Sequence, residues 1–384
     1  MCDPELRSTV ADALSRTMQV DLAARRAAEE RVNELQATPG FAVCLAQVTL
    51  DGSLATGLRQ LAALVLKQLV RAHWCEGAEG FVPPAIADAE KAAVRAMLPA
   101  GLGDGTPKIR TAVSMAIAGI AQWDWPDAWP GLMGALLAPL QAAAAVAAAE
   151  SPSASPPATD DSADAVAGVL RCLEMCAAEL QEEHLGEALS TLMPLLHTLV
   201  AGRRPPPRRE RARAVRVLHR LLERLVSLCD DEATLRALQR GPLTQWAATV
   251  LGFLGAPPAG GGGGSADADE PDDHAFEIAL LRLLRLLIVM LPRSLSAHSA
   301  VLVQPLGRQL LAALQGLEAE RGAAEAEAGG GCAQCDSEGS LLGTGALVAQ
   351  LLDVFSAMAN SSVGHELHLT LTLTLPPLWA MSST

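Results

Sequence analysis

Apolar residues recur along most of the chain at intervals of three and four positions, with polar residues between them. This spacing places the apolar side chains on one face of an α-helix. Proline, glycine and acidic residues interrupt the pattern and mark the predicted helix ends, and Ser53 is the predicted N-cap of the fourth helix. The pattern predicts fourteen helices, over residues 4–16, 20–37, 41–50, 53–72, 84–98, 107–122, 128–150, 161–180, 185–201, 207–229, 232–254, 273–291, 297–320 and 340–359.

Taken in order, the predicted helices form seven antiparallel pairs that repeat about every 45 residues. A compact helical bundle fits the same number of helices, but bundles of this size rarely lack long crossover connections. A two-helix unit of this period is typical of HEAT and armadillo solenoids, in which each pair buries its apolar face against its neighbours. We therefore expect an all-α fold: an armadillo-like α-solenoid, or superhelix, of about seven to eight HEAT-type helix pairs.

Three segments rich in small or acidic residues separate predicted helices, near residues 151–164, 257–273 and 318–338. Their composition is typical of solvated loops. We expect residues 1–150 to hold the first four helix pairs and residues 151–384 to hold the remaining ones.

Composition supports an all-helical chain, because alanine and leucine dominate while aromatic residues make up 3% and tyrosine is absent. The formal net charge of −14 argues against nucleic acid as the main ligand and favours basic partners, although solubility alone also accounts for it. Most of the eight cysteines lie in apolar helical patterns, which predicts reduced thiols in a reducing compartment. No uncharged apolar run is long enough to span a bilayer, so we expect a soluble intracellular protein without membrane insertion.

Motifs of catalysis and cofactor binding are missing from the sequence, which predicts a protein that is not an enzyme and needs no cofactor. Cys332 and Cys335 have the spacing of half a zinc site, but a second pair of ligands is not evident nearby, and free thiols are the simpler interpretation. His365 and His368 give an equally weak indication of metal binding. We therefore predict no metal site.

Nine arginines lie between Arg203 and Arg224, the densest positive charge in the sequence. Arg209, Arg213, Arg216 and Arg220 fall on one helical stripe. The stripe is suited to an acidic tail or a phosphate. A solvated helix face flanked by acidic neighbours is the alternative, and it is favoured.

A dense group of tryptophans and prolines lies between the sixth and seventh predicted helices. Proline is tolerated in the first turn of a helix, where its missing N–H group is harmless. Bulky indole rings can seat one helix pair on the next. We predict a structural corner formed by Trp123, Trp125, Pro126, Trp129 and Pro130.

Residues 117–132, with the sequence IAGIAQWDWPDAWPGL, contain this corner and resemble a repeat junction of importin-β-type nuclear transport receptors, the karyopherins. Residues 26–35, RAAEERVNEL, resemble the start of the N-terminal domain in that family. Residues 59–74, RQLAALVLKQLVRAHW, resemble its core motif. The resemblance is specific from about residue 20 to residue 132 and thin from 140 to 330.

The resemblance implies a receptor that shuttles between cytoplasm and nucleus through the nuclear pore and acts without catalysis. It implies that the GTP form of the small GTPase Ran binds the N-terminal repeats along the second helix of each pair and releases import cargo. It also implies phenylalanine-glycine nucleoporins and basic cargo, such as histones and ribosomal proteins, as partners.

On the matching helices, polar residues are our candidates for contacting Ran. A solvated side chain or a charge pair within one helix is the alternative for each candidate. Arg59 and Lys67, about two turns apart, are expected to share one face. The candidates are Glu30, Arg59, Lys67, Lys108 and Arg110.

Members of this family are more than twice as long as this chain, so we expect a fragment or a truncated gene model that lacks most of the cargo surface. A HEAT-repeat scaffold subunit that does not depend on Ran remains the alternative function.

Overall fold

The computed structural model describes residues 3–149, 160–228, 238, 241–255, 274–291, 295, 299–326 and 343–360. Within these ranges all regular structure is helical, with fourteen α-helices and one 3-10 helix. The all-α prediction is therefore confirmed. The chain divides into two compact units, Met1–Gln181 and Glu182–Thr384, whereas the sequence analysis placed a boundary after residue 150.

The first unit contains eight α-helices, with the 3-10 helix Leu98–Gly103 between the fifth and sixth of them. They are α1 (Pro4–Thr17), α2 (Leu22–Leu35), α3 (Phe41–Leu50), α4 (Thr56–His73), α5 (Asp88–Met97), α6 (Pro107–Asp124), α7 (Leu132–Ala148) and α8 (Asp160–Glu179). Helices α4, α6 and α8 pack side by side in one layer, while α1, α3 and α5 pack in sequence on the other side. Apolar side chains such as Phe41, Leu66 and Ile117 are fully buried between the layers.

In the described part of the second unit, six helices repeat the same arrangement. They are α9 (Glu182–Ala201), α10 (Arg208–Leu228), α11 (Pro242–Gly255), α12 (Ala275–Met290), α13 (Ser299–Ala326) and α14 (Thr344–Asn360). Helices α10, α12 and α14 pack side by side, and α11 packs against both α9 and α13. Trp246, Leu196 and Leu221 are among the buried side chains of this unit.

Polar side chains satisfy the backbone N–H groups at several helix starts. Asp3 accepts a hydrogen bond from the Glu5 backbone at the start of α1, and Asp21 accepts two at the start of α2. Helix α3 is capped from a distance, because the carboxylate of Glu90 in α5 accepts hydrogen bonds from the backbone of Gly40, Ala42 and Val43 at 2.7–3.4 Å. This long-range cap joins two helices that are far apart in sequence.

Several predicted boundaries differ from the structure. Helix α4 begins at Thr56 and not at Ser53, because the backbone N and Oγ of Ser53 both donate to Asp51 Oδ1 in a turn, at 2.9 and 2.6 Å. Helix α5 begins at Asp88, after the residues 84–87 that the pattern included. The predicted loops at 151–164 and 318–338 are shorter, since α8 begins at Asp160 and α13 continues to Ala326. The remainder of those loops, and the predicted loop 257–273, lie outside the described residues.

Among the described cysteines, Cys75, Cys172 and Cys176 are free thiols. Cys44, which is buried in α3, is disulfide-bonded. The prediction of reduced thiols is therefore wrong for Cys44. None of the helices in the described ranges has the length and apolar character required to cross a bilayer.

At Gly168, helix α8 approaches the 3-10 helix Leu98–Gly103 so closely that there is no room for a side chain. A Cβ atom added to Gly168 would lie 2.0 Å from the backbone oxygen of Leu102 in the 3-10 helix. A backbone oxygen cannot swing aside as a side chain can, so any larger residue here must push α8 away from its neighbour.

We expect Gly168→Ala to lower the free energy of unfolding by about 2 kcal/mol, because overpacking outweighs the gain in helix propensity. Gly186→Ala is the matched control, since Gly186 is also helical but an added Cβ there meets no atom within 4 Å. Urea unfolding of the two variants measures the difference. A Gly168→Ala protein as stable as the unsubstituted chain would contradict the close approach.

Candidate functional site

Two arginines predicted as contacts for a partner instead occupy the interior of the first unit. Arg59 is the fourth residue of α4 and is 4% exposed. Its Nε donates to the backbone oxygen of Thr49 at 2.9 Å, and its Nη2 donates to Asp104 Oδ2. Arg59 therefore joins α3, α4 and the segment before α6.

Arg110 takes the same place in the next repeat, as the fourth residue of α6, and is 6% exposed. Its Nη1 donates to the backbone oxygen of Asp104 at 2.6 Å and pairs with Asp164 Oδ1 of α8 at 2.7 Å. Asp104 thus accepts hydrogen bonds from both arginines, from Arg59 through its carboxylate and from Arg110 through its backbone oxygen. We call Arg59, Asp104, Arg110 and Asp164 the arginine–aspartate chain, which links α4, α6 and α8.

Removing one member of this chain leaves a buried charge without compensation. We expect Arg59→Met to lower the free energy of unfolding by about 3 kcal/mol, because Asp104 loses its guanidinium partner. In the control Arg31→Met, which removes the exposed pair with Glu34, the loss should stay below about 1 kcal/mol. Thermal or urea unfolding measures both, and equal losses would contradict a structural role for Arg59.

The tryptophan–proline corner is held mainly by a carboxylate that the sequence analysis did not select. Asp124, at the end of α6, is buried, and its Oδ2 accepts hydrogen bonds from Trp74 Nε1 at 3.0 Å and from Arg95 Nη1 at 2.6 Å. Its backbone oxygen accepts from the N–H groups of Ala128 and Trp129 at 2.8 and 2.7 Å. In the sequence, this role of Asp124 was indicated only by its position between Trp123 and Trp125.

The three tryptophans of the corner have different environments. Trp129 is buried, Trp125 is half-buried, and the side chain of Trp123 is 44% exposed. Neither proline begins a helix, because Pro126 and Pro130 both lie in the turn before α7, which starts at Leu132 after Gly131. The prediction that these prolines occupy first helical turns is therefore wrong.

The other three candidates, Glu30, Lys67 and Lys108, are exposed. Lys67 on α4 lies next to α6, with its Nζ 3.7 Å from Met115 Sδ. Lys108 is seven residues before Met115 and so lies on the same face of α6, two turns away. Glu30 lies on α2, which packs against α1. The structure brings Lys67 and Lys108 onto neighbouring helices of one layer.

Lys67 belongs to a stripe at positions i, i+4, i+7 and i+11 of α4, with Gln60, Leu64 and Arg71. Leu64, Lys67 and Arg71 are exposed and Gln60 is half-exposed. The α4–α6 surface is the set Gln60, Leu64, Lys67, Arg71, Lys108 and Met115. The sequence analysis missed four of its members, although the helical periodicity of Gln60, Leu64 and Arg71 with Lys67, and of Met115 with Lys108, was visible.

Arg59 and Lys67 do not share a face, contrary to prediction. Eight residues of α-helix turn the side chain by roughly 80° beyond two full turns. Arg59 consequently points into the interior while Lys67 points outward.

In the second unit, the predicted stripe Arg209, Arg213, Arg216 and Arg220 lies on α10. Arg213 is buried beside Glu210, whereas Arg209 and Arg216 are half-exposed and Arg220 is exposed. The stripe is therefore split between the interior and the surface. Candidate metal ligands Cys332, Cys335, His365 and His368 lie outside the described residues, and the described residues contain no group of His, Cys, Asp and Glu suited to a metal.

The pKa of His219 on α10 is shifted by burial and by neighbouring charges. Burial is the main cause that lowers the pKa of His219 to about 4; the charges of Arg220, Arg282 and Arg285 act in the same direction, and Glu223 opposes them. The unfolded chain binds this proton near the ordinary pKa of 6.5, so protonation favours unfolding.

We expect this histidine to contribute stability that is fully present above about pH 6.5 and is lost as the pH falls toward 4. The loss amounts to about 3 kcal/mol from the difference in pKa. The His219→Asn variant should lack this part of the pH dependence. Urea unfolding at intervals between pH 7 and pH 4 measures it, and identical pH profiles for the two proteins would contradict the shift.

Comparison with known proteins gives sequence matches for the N-terminal part of the chain. Residues 28–104 match the family model of the importin-beta N-terminal domain. The chain is 28% identical to importin-9 of Drosophila melanogaster over 131 residues, which cover 33% of this chain and 13% of the relative. It is 29% identical to importin-11 of Mus musculus over 119 residues, which cover 31% of this chain and 12% of the relative. The match therefore covers a small part of each relative's length.

Solved structures with a similar fold are nuclear transport proteins. Kap95, in a structure concerned with its binding to RanGDP, has a TM-score of 0.58 at 14% identity and matches 98% of this chain over 37% of its own. The exportin Cse1 in its cargo-free, cytoplasmic state has a TM-score of 0.55 at 15% identity, over 97% of this chain and 38% of Cse1. Kap95 in complex with Nup1 has a TM-score of 0.51 at 16% identity, over 97% of this chain and 36% of Kap95. These neighbours confirm the predicted HEAT-repeat fold class.

Proposed function

We propose that this chain, whose residues 28–104 match the importin-beta N-terminal domain, is part of a nuclear import receptor similar to importin-9. The observation that carries the proposal is the family match over residues 28–104, which includes the exposed stripe of α4. The receptor acts by binding and release and needs no catalytic group. In this proposal the GTP form of Ran binds the N-terminal helix pairs and displaces the cargo.

The α4–α6 surface is the proposed contact for Ran. Lys67, Arg71 and Lys108 present positive charge, and Leu64 and Met115 offer apolar area between the charges. Such a mixture suits a protein partner, since apolar anchors supply affinity while charges set orientation and the rate of association. Glu30 on α2 is a more distant candidate. Arg59 and Arg110 act here as positioning residues, because the arginine–aspartate chain fixes the register of α4 and α6.

Further partners follow from the same proposal. The net charge of −14 favours basic cargo such as histones or ribosomal proteins. A structure of Kap95 with Nup1 supports phenylalanine-glycine nucleoporins as partners. Passage between the cytoplasm and the nucleus through the pore is then the expected localisation. A HEAT-repeat scaffold without Ran dependence is the alternative, because the fold alone serves either function.

We expect the full chain to bind GTP-locked Ran more tightly than GDP-loaded Ran, as measured side by side by calorimetry. Lys67→Glu and Lys108→Glu should each weaken binding about tenfold, because each reverses a charge on the α4–α6 surface. The matched control is Arg308→Glu, a charge reversal at an exposed residue of α13 in the second unit, which should leave the affinity unchanged.

The folded state of each variant is checked by circular dichroism before binding is measured. A folded chain that binds neither form of Ran, or that binds both equally, would favour the scaffold. Binding that is insensitive to Lys67→Glu and Lys108→Glu would place the contact elsewhere on the chain.

A further inference from the structure

Lysine is scarce in this chain, and its few copies are not spread evenly over the structure. Of the 29 lysines and arginines, only Lys67, Lys91 and Lys108 are lysines. The two residue types carry the same charge at neutral pH, but a lysine amine can be acylated, whereas the guanidinium of arginine stays protonated in proteins. Side-chain amine chemistry in this chain is therefore confined to three positions.

Two of the three lysines belong to the α4–α6 surface. Lys67 is the twelfth residue of α4 and Lys108 is the second residue of α6, and both are exposed. The Nζ of Lys67 lies 3.7 Å from Met115 Sδ, a neighbour without charge. Neither lysine forms an ion pair with a carboxylate in the part of the chain that the structure describes. Both amines are therefore open to a reagent in solution.

The third lysine, Lys91 of α5, has a different environment. Its side chain is only 17% exposed, and its Nζ lies 3.8 Å from Asp88 Oδ1 and 5.8 Å from the centroid of the Trp74 ring. The carboxylate and the indole face each attract an ammonium group. Lys91 therefore serves as an internal comparison, because it is the same residue type in the same chain with less access.

The positive charge of the α4–α6 surface depends on these amines. Its three cations are Lys67, Arg71 and Lys108. Acetylation converts a lysine ammonium into a neutral amide and so removes the charge. Since Arg71 cannot be acetylated, modification of both lysines leaves one cation of three beside the apolar side chains of Leu64 and Met115. The surface then changes from charged to mainly neutral and apolar.

The fold accommodates an acetyl group at both positions. Lys108 lies in the first turn of α6, where the helix dipole disfavours positive charge, so loss of its charge does not weaken the helix. Lys67 points outward, with Leu64 one turn away on the same stripe and the flexible thioether of Met115 beside it. These apolar neighbours suit an acetyl methyl group. Acetylation therefore changes the charge of the surface and leaves the packing beneath it intact.

We propose that Lys67 and Lys108 are acetylation sites that regulate binding at the α4–α6 surface. The acetyl donor is an acetyl thioester. After the ammonium group has lost one proton to solvent, Nζ attacks the carbonyl carbon of the thioester, the C–N bond forms and the C–S bond breaks. The second proton leaves with the sulfur as a free thiol. The regulatory role rests on the proposed function, because Ran is the proposed occupant of this surface.

Mass spectrometry tests the sites without reference to Ran. The full chain is expressed in eukaryotic cells treated with a deacetylase inhibitor, and its peptides are analysed for modified lysines. We expect acetyl groups on Lys67 and Lys108 and a lower occupancy on Lys91. Absence of acetyl groups from both surface lysines would overturn the proposal. Methyl groups in their place would also overturn it, because methylation keeps the charge.

Calorimetry with GTP-locked Ran tests the effect on binding. The purified full chain is measured before and after treatment with acetic anhydride, which acetylates accessible amines. We expect treatment to weaken binding about tenfold, from about threefold for each neutralised lysine. The variant with Lys67→Gln and Lys108→Gln imitates the neutral amide without the reagent and should show the same loss.

Two lysine-to-arginine variants locate the effect. The variant with Lys67→Arg and Lys108→Arg keeps both charges but has no amine to acetylate on this surface, so treatment should not change its own affinity. Lys91→Arg is the matched control, since it removes the third lysine and should still lose about tenfold on treatment. Circular dichroism before and after treatment confirms that each sample is folded.

The outcomes separate this proposal from the proposed function. Equal losses on treatment in the unsubstituted chain and in the variant with Lys67→Arg and Lys108→Arg would overturn the regulatory role. Unchanged binding in the variant with Lys67→Gln and Lys108→Gln would overturn it as well. A folded chain that binds no Ran before treatment contradicts the proposed function and the regulatory role together, whereas mass spectrometry still decides whether the two lysines are acetylated.

Discussion

The arginine–aspartate chain is the interaction on which the geometry of the first unit depends. The hydrophobic effect that drives helices to stack through their apolar faces has no direction of its own. Guanidinium groups with two fixed acceptors do have direction. Arg59 and Arg110, each the fourth residue of its helix, set the register of α4, α6 and α8, and that register places Lys67 beside Met115 on the outer side. The candidate surface is therefore a consequence of the buried pairs beneath it.

Periodicity was sufficient to predict the helices, because apolar spacing is a local property of the sequence. It was not sufficient to decide which arginines are buried. The carboxylate partner of Arg59, Asp104, lies 45 residues further along the chain, and that of Arg110, Asp164, lies on another helix, so the local pattern contains no trace of them. The same limit explains Asp124, whose partners Trp74 and Arg95 lie on other helices. Ser53 was misassigned for a different reason, since Asp51 competes for its hydrogen bonds within a single turn.

The predicted arginine stripe and the α4–α6 surface both carry positive charge on an acidic chain, yet they differ in how far the sequence revealed them. The arginine stripe was visible on one predicted helix, but the packing of α10 decides that Arg213 is buried while Arg220 is exposed. The α4–α6 surface was represented only by its lysines. In each case the sequence predicts which residues share a helix face, while the packing of neighbouring helices decides which faces form one surface.

In four contacts of the first unit, the carboxylate comes later in the sequence than the groups that it binds. The carboxylate of Glu90 caps the start of α3, and that of Asp104 accepts a hydrogen bond from Arg59. The carboxylate of Asp124 accepts hydrogen bonds from Trp74 and Arg95, and that of Asp164 forms an ion pair with Arg110. Each carboxylate follows the groups that it binds. During synthesis from the N-terminus, these four acids therefore emerge from the ribosome after the groups that they bind, so each of these contacts forms only once the later segment has been made.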